Sequence, residues 1–158
     1  MKVTFVHNDH RRTVDADPRD TLRRHITPTG DQEGPCTSGE CLRCCVLLAG
    51  RVVPACTVPM FRVEGMTIQD TEGLAADTLF RDIKKAFEKI GIHRCTEALP
   101  ALQMLAYQLL SEVPMPTDKE LQDYSRHITS RCVSRNEFER ATRLAGRVHK
   151  RRRHEQSR

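Results

Sequence analysis

The sequence contains no tryptophan, and aromatic residues make up only 4% of its 158 residues. Hydrophobic residues reach 38%, which is low for a single well-packed core but too high for a disordered chain. A chain of this length accommodates one domain or two small ones, and a large enzyme is excluded. We therefore expect something besides apolar burial to help stabilise the fold.

Long apolar runs are also missing, since no stretch approaches the roughly 18 residues that a membrane-spanning helix needs. The first residues, MKVTFVHNDH, lack the basic-then-apolar pattern of a signal peptide. We therefore expect no membrane span and a cytoplasmic location. In a reducing compartment, seven cysteines indicate metal ligands rather than a disulfide framework.

The positive charge is concentrated at one end of the sequence. The total is +5, but residues 140–158 hold eight Lys or Arg residues against one Glu, which leaves the rest of the chain at −2. A folded nucleic-acid-binding domain is therefore not indicated, because such a domain carries its cations on its folded face. Residues 148–158 are predicted to be a disordered basic tail, with an arm that binds RNA or an acidic partner as the alternative.

The periodicity of apolar residues divides the rest of the chain in two. Residues 1–75 contain short, partly alternating segments that predict two hairpins, over residues 2–14 and 45–55, and a strand over 66–70. From residue 77 the apolar spacing becomes helical and predicts four helices, one of them opened by a capping box of Thr117 and Glu120. The predicted fold class is therefore α+β, with a small sheet domain over residues 1–75 and a helical bundle over residues 76–147.

Four cysteines of the sheet domain, Cys36, Cys41, Cys44 and Cys56, have the spacing C-x4-C-x2-C-x11-C. The first three match the spacing with which plant-type ferredoxins bind a [2Fe–2S] cluster, and the predicted second hairpin returns the fourth thiolate. A structural zinc site and buried, unligated thiols are the alternatives, although zinc favours paired C-x2-4-C knuckles and only one is present. Cys45 opens the next strand and is predicted to be a small buried hydrophobe.

The segment around these cysteines resembles a known family. The run from Glu33 to Cys44, the hairpin that ends at Cys56, and the later pattern Val63-Glu64-Gly65-Met66 are similar to the iron–sulfur small subunits of the molybdenum hydroxylases. Xanthine dehydrogenase, aldehyde oxidoreductase and carbon monoxide dehydrogenase contain such subunits. The similarity continues into the helical bundle and covers nearly the whole chain up to the basic tail.

This resemblance implies a β-grasp ferredoxin-like domain followed by a four-helix bundle, each domain with one [2Fe–2S] cluster. It implies an electron-transfer subunit rather than a catalytic chain, with Cys36, Cys41, Cys44 and Cys56 as ligands of the first cluster. The partners are then a large subunit that binds molybdopterin and a medium subunit that binds FAD.

The sequence departs from the family at the second cluster site. Cys95 and Cys132 match two of its four ligands, whereas Ala98 and Ser130 stand at the other two. The neighbouring histidines, His93 and His127, do not occupy ligand positions. We therefore expect one cluster and the remnant of a second. The alternative function is a non-catalytic assembly or interaction subunit whose single cluster is structural.

Other departures lie close to the cofactors. Pro35, Thr37 and Leu42 stand where the family commonly has glycine, which removes backbone freedom near the first cluster. Arg94 replaces a glutamine that the family uses close to molybdopterin. The resemblance therefore implies a first cluster in altered surroundings and a changed contact with the molybdenum cofactor.

Overall fold

The computed structural model describes residues 1–26, 38–94, 98–126, 128, 130 and 132–158. The chain divides into two compact units, Met1–Ala75 and Ala76–Arg158. The first unit holds the sheet, and the second holds the α-helices of the described residues. The α+β fold class predicted from the sequence is confirmed.

The described strands of the first unit form one five-stranded sheet in the order β2-β1-β5-β3-β4. Their bounds are β1 Lys2–His7, β2 His10–Asp15, β3 Cys45–Leu48, β4 Arg51–Pro54 and β5 Thr67–Gln69. The central strand β5 runs parallel to β1 and antiparallel to β3. It thereby joins the two antiparallel hairpins, β1–β2 and β3–β4, into a single sheet.

Both hairpins turn through two residues with positive φ. Asn8 and Asp9 have φ values of 47° and 66°, and Ala49 and Gly50 have values of 49° and 82°. Such a pair gives a turn whose twist matches that of the flanking strands, and Asn, Asp and Gly tolerate it best. The turns of both predicted hairpins therefore lie where the sequence places them.

The described part of the second unit contains four α-helices. Their bounds are α1 Thr78–Ile90, α2 Leu99–Glu112, α3 Asp118–Ser125 and α4 Arg135–Gln156. The predicted capping box of Thr117 and Glu120 opens α3, and a second one, formed by Ser134 and Glu137, opens α4. Gly91, with a φ of 90°, ends α1.

The structure differs from the predicted disordered tail over residues 148–158, because α4 continues to Gln156. Two side chains of its C-terminal half hold it against α1. Arg152 Nη2 lies 2.6 Å from Asp82 Oδ1, and His149 Nδ1 lies 3.0 Å from Asp82 Oδ2. Asp82 is fully buried. This long-range pairing packs the C-terminal half of α4 against α1.

Each unit has its own apolar core. Phe5, Val46 and Ile68 are among the buried residues of the first. In the second, Phe87 and Phe138 pack edge to face with their ring centroids 6.2 Å apart, which joins α1 to α4. Within the described ranges, no helix is both long enough and apolar enough to cross a membrane.

Candidate metal centre

The hairpin formed by β3 and β4 brings two of the predicted ligands together. Cys44 immediately precedes β3, and Cys56 lies in the 3-10 turn Ala55–Thr57 that follows β4. The backbone N–H of Ala55 donates to the carbonyl of Cys44 at 2.9 Å, which continues the ladder past the strand ends. The backbone N–H of Cys56 then donates to Cys44 Sγ at 3.4 Å. The two cysteines are therefore placed by backbone pairing.

This N–H···S hydrogen bond has a chemical role at an iron–sulfur site. Hydrogen bonds to the sulfurs stabilise thiolate charge and tune the potential of a bound cluster. Cys44 and Cys56 are only 1% and 5% exposed, so water is largely excluded from both sulfurs. The pair is therefore suited to hold a cluster near the edge of an apolar core.

The loop before β3 carries Cys41 and lies against the segment around Cys56. Gly39 has a φ of 79°, and a Cβ atom built there meets Thr57 Cγ2 at 3.0 Å and Pro54 Cγ at 3.1 Å. Glycine is needed at this position for both reasons, since a side chain would be strained and would push the loop away. Gly39 thus allows a close approach that keeps the loop on the hairpin.

Leu42 lies in the same loop with a φ of 58°. The left-handed region is unfavourable for a branched side chain and is the usual place of glycine. Leu42 is one of the residues that stand where the resembled family commonly has glycine, and its backbone adopts the conformation that glycine favours. The loop between Cys41 and Cys44 therefore contains one strained backbone position.

Cys45 differs from its neighbours in burial and protonation. It is 4% exposed, and burial, reinforced by the nearby thiols of Cys44, Cys41 and Cys56, raises the pKa of its thiol to about 12. A thiol with such a pKa stays protonated at neutral pH and is a poor ligand.

The remaining predicted ligand, Cys36, lies outside the described residues. Among those that are described, no group of three or more Cys, His, Asp or Glu side chains is arranged to hold a metal ion. The fit to a cluster therefore rests on the Cys44–Cys56 pair, on the loop that carries Cys41, and on the soft thiolate chemistry that iron–sulfur clusters require.

A buried polar group that the sequence pattern does not indicate supports the segment after Cys56. The Asp20 carboxylate accepts hydrogen bonds from the backbone N–H of Asp17 and from Nε2 of the His25 ring. These hydrogen bonds lower the pKa of the Asp20 carboxyl to about 2. Its own carbonyl accepts from the backbone N–H of Met60 at 3.0 Å, and Leu22 N–H donates to the carbonyl of Val58. These contacts join distant segments, so sequence spacing alone does not reveal them.

The second predicted cluster site, in the helical unit, is described only in part. Cys95 and His127 lie outside the described residues, as does the side chain of Arg94, while His93 is exposed. Ala98 is 7% exposed and belongs to the apolar core of the second unit. An alanine side chain has no lone pair, so it cannot replace a thiolate ligand.

Cys132 is exposed, and its sulfur lies near the side chain of Ser130. The Ser130 hydroxyl lies 3.4 Å from that sulfur and accepts the backbone N–H of Cys132 at 3.3 Å. The described residues at the family's ligand positions of this site are thus Ala98, Ser130 and Cys132, of which only Cys132 carries a thiol.

The chain is related to iron–sulfur subunits of larger enzymes. It is 30% identical over 130 residues to the nicotine 6-hydroxylase small subunit of Paenarthrobacter nicotinovorans, covering 80% of this chain and 78% of that relative. It is 28% identical over 124 residues to one subunit of the nicotinate dehydrogenase of Pseudomonas putida, covering 78% of each. No family model matches the chain.

Solved structures share the fold. The aldehyde oxidoreductase of Desulfovibrio desulfuricans matches with a TM-score of 0.80 at 26% identity, covering 94% of this chain and 17% of that longer one. The quinoline 2-oxidoreductase of Pseudomonas putida matches with a TM-score of 0.79 at 22% identity, covering 96% of both chains.

The five-stranded sheet with its cysteine-bearing loop, followed by α-helices, defines the class of two-domain iron–sulfur proteins with a ferredoxin-like fold. The relatives, which are subunits of a nicotinate dehydrogenase and of a nicotine 6-hydroxylase, indicate one family within that class. The chain belongs to the iron–sulfur small subunits of the xanthine, aldehyde and nicotinate dehydrogenase type, the molybdenum hydroxylases.

Proposed function

We propose that this chain is the electron-transfer subunit of a molybdenum hydroxylase-like oxidoreductase. It holds one [2Fe–2S] cluster through Cys36, Cys41, Cys44 and Cys56. The observation that carries the proposal is the backbone pairing that sets Cys56 N–H on Cys44 Sγ, with Cys41 on a loop that Gly39 seats against the same hairpin. When bound, the cluster supplies a carrier for single electrons.

The residues of the chain place and tune the cluster. Cys44 and Cys56 present buried sulfurs, and the Cys56 N–H stabilises negative charge on one of them. Burial and hydrogen bonding act in opposite directions on the reduction potential, because burial disfavours added negative charge and N–H donors favour it. Bond chemistry on the substrate then belongs to a large partner subunit that binds molybdopterin, and FAD to a medium subunit.

We propose a single cluster because the second site lacks the ligands for another. Ala98 contributes to the core and offers no ligand atom, and Ser130 stands at another ligand position of the family. Electrons must then reach the remaining cluster without a cluster in the bundle. We further propose a cytoplasmic location, since a reducing compartment keeps thiolate ligands available.

The same observation at Ala98 favours one alternative function. If no electron relay runs through the bundle, the chain serves as a non-catalytic assembly subunit, and the first cluster stabilises the small sheet unit. A core with few aromatic residues benefits from such a cross-link. The two functions differ in whether the cluster changes its redox state during turnover.

A potentiometric titration of the purified, anaerobically reconstituted chain distinguishes them. The electron-transfer function predicts a reversible one-electron transition, followed by EPR, within the range of about −700 to +450 mV that is typical of iron–sulfur clusters. A cluster that resists reduction throughout that range contradicts electron transfer. In the assembled complex, Cys41→Ser is expected to lower turnover with an external acceptor by at least about tenfold, and unchanged turnover favours the structural alternative.

A further inference from the structure

One surface of the second unit has an open apolar groove, which we name the bundle-end groove. Its apolar wall is formed by Leu79 of α1, Leu110 of α2, and Pro114 and Met115 of the connection between α2 and α3. The volume of the groove is about 390 Å³, and Met115 is 48% exposed although its side chain is apolar. An apolar surface of this kind next to polar groups is typical of an interaction site.

The opposite wall is the C-terminal half of α4, and it is cationic. Gly146, His149, Lys150 and Arg153 line the groove at spacings of three and four residues, so they share one helix face. The same face is apolar earlier in the helix, where Phe138 packs in the core. The core-facing stripe of α4 therefore becomes cationic where it reaches the groove.

The positive charge of this wall is not neutralised within the part of the chain that the structure describes. There, neither Lys150 nor Arg153 forms an ion pair, and no acidic side chain lines the groove. Arg152, on the adjacent face, is paired with Asp82. The charge of Arg152 is thus balanced by Asp82, whereas Lys150 and Arg153 lie beside an apolar surface without an acidic partner among the described residues.

The wall is also held in place before any ligand binds. Asp82 contacts both His149 and Arg152, and a Cβ atom at Gly146 would lie only 3.1 Å from the carbonyl oxygen of Pro114. These contacts fix α4 close to the α2–α3 connection. A preformed site binds with a smaller loss of conformational entropy than a tail that must order on binding.

We infer that the bundle-end groove binds an acidic, amphipathic segment of a partner protein chain. Its apolar side chains occupy the surface formed by Leu79, Leu110 and Met115, and its carboxylates pair with Lys150 and Arg153. The cationic face runs about 12 Å along α4 from Gly146 to His154, which matches two turns of a helix. Charge complementarity and this elongated shape favour a peptide segment over a compact anion.

The inference rests on the proposed function in one respect, since it takes the partner to be another subunit of the complex. The groove and the predicted cluster ligands use different residues. A binding measurement that involves no redox step therefore tests the groove alone, and its failure leaves the electron-transfer proposal intact.

The probe is a fluorescein-labelled twelve-residue peptide of repeated Glu-Leu-Leu-Glu, with a Lys-Leu-Leu-Lys peptide as the control for charge. Fluorescence anisotropy with the full chain is expected to detect binding of the acidic peptide only, and binding should weaken at high salt. Lys150→Glu combined with Arg153→Glu is expected to weaken it at least about tenfold. Arg147→Glu combined with Arg151→Glu makes the same charge change away from the groove and should weaken it less than about threefold.

The apolar wall is tested with a second matched pair. Met115→Ser is expected to weaken binding about tenfold, because its side chain lines the groove, whereas Met66→Ser changes an exposed methionine of the first unit and should have no effect. Equal losses from the two charge-reversal variants, or no loss from Met115→Ser, contradict the inference. Binding of dodecanoate without binding of the acidic peptide also contradicts it and indicates a site for a small amphiphile.

Discussion

Replacement of Cys56 by alanine abolishes retention of the [2Fe–2S] cluster: we expect the purified variant to lack bound iron and visible cluster absorption. Alanine removes the thiolate that the hairpin returns to the site and offers no oxygen in its place, unlike serine. The backbone N–H at this position still reaches Cys44 Sγ, so the change is confined to one ligand. Iron and acid-labile sulfide analysis measures the result.

The control for this prediction is Cys45→Ala, one residue from Cys44 in the same buried region. Cys45 is buried at the start of β3 and lies outside the C-x4-C-x2-C-x11-C spacing, so it should not contribute a ligand. This variant is expected to keep its iron, with only the modest loss of stability that accompanies a smaller buried side chain. If Cys56→Ala keeps its iron, or if both variants lose it, the ligand assignment is wrong.

Replacement of Asp82 by asparagine is expected to lower the free energy of unfolding by up to about 3 kcal/mol, measured by urea denaturation. Asparagine keeps the volume but removes the negative charge that Arg152 and His149 share at a fully buried position. The partners are themselves 32% and 19% exposed, so solvent screens part of the interaction and the effect lies at the low end for a broken buried pair.

A surface pair provides the comparison for Asp82. Asp123 lies 3.0 Å from Arg126 at spacing i, i+3, and the two side chains are 52% and 67% exposed. Asp123→Asn is therefore expected to cost less than about 1 kcal/mol. Circular dichroism of Asp82→Asn should also show lost helicity at the end of α4. A wild-type unfolding curve for Asp82→Asn would contradict the role of this pair in ordering residues 148–156.

Local patterns predict much of this fold. The turns at Asn8-Asp9 and at Ala49-Gly50, and the capping box at Thr117, depend on residues close together in the sequence. Each therefore leaves a signal that can be read without a structure. The cysteine spacing similarly predicts the loop and hairpin that carry Cys41, Cys44 and Cys56.

The features that the sequence does not reveal depend on distant contacts. Asp82 and His149 are 67 residues apart, and their contact packs the basic end of α4 against α1. The position of β5 between the two hairpins likewise depends on pairing with both β1 and β3. In the sequence, Gly39 looks like any loop glycine. Its contacts with Pro54 and Thr57 in the structure show why no side chain fits there.

The departures from the family pattern are visible in the sequence, but the structure gives them physical meaning. Ala98 is not only a missing ligand, since it is packed into the apolar core, where a polar group would be costly. Leu42 is not only a substitution for glycine, since it adopts a left-handed φ of 58°. The loop of the proposed first site thus contains one left-handed leucine, whereas one family ligand position of the second site lies in the apolar core.

The central claim is that this iron–sulfur subunit carries one cluster, and a single measurement tests it most directly. Iron and acid-labile sulfide are counted per chain in the anaerobically purified protein, and the dithionite-reduced sample is examined by low-temperature EPR with spin quantitation. We predict two irons, two sulfides and one signal per chain. Four irons with two distinguishable signals, or a chain that binds no iron at all, would contradict this claim.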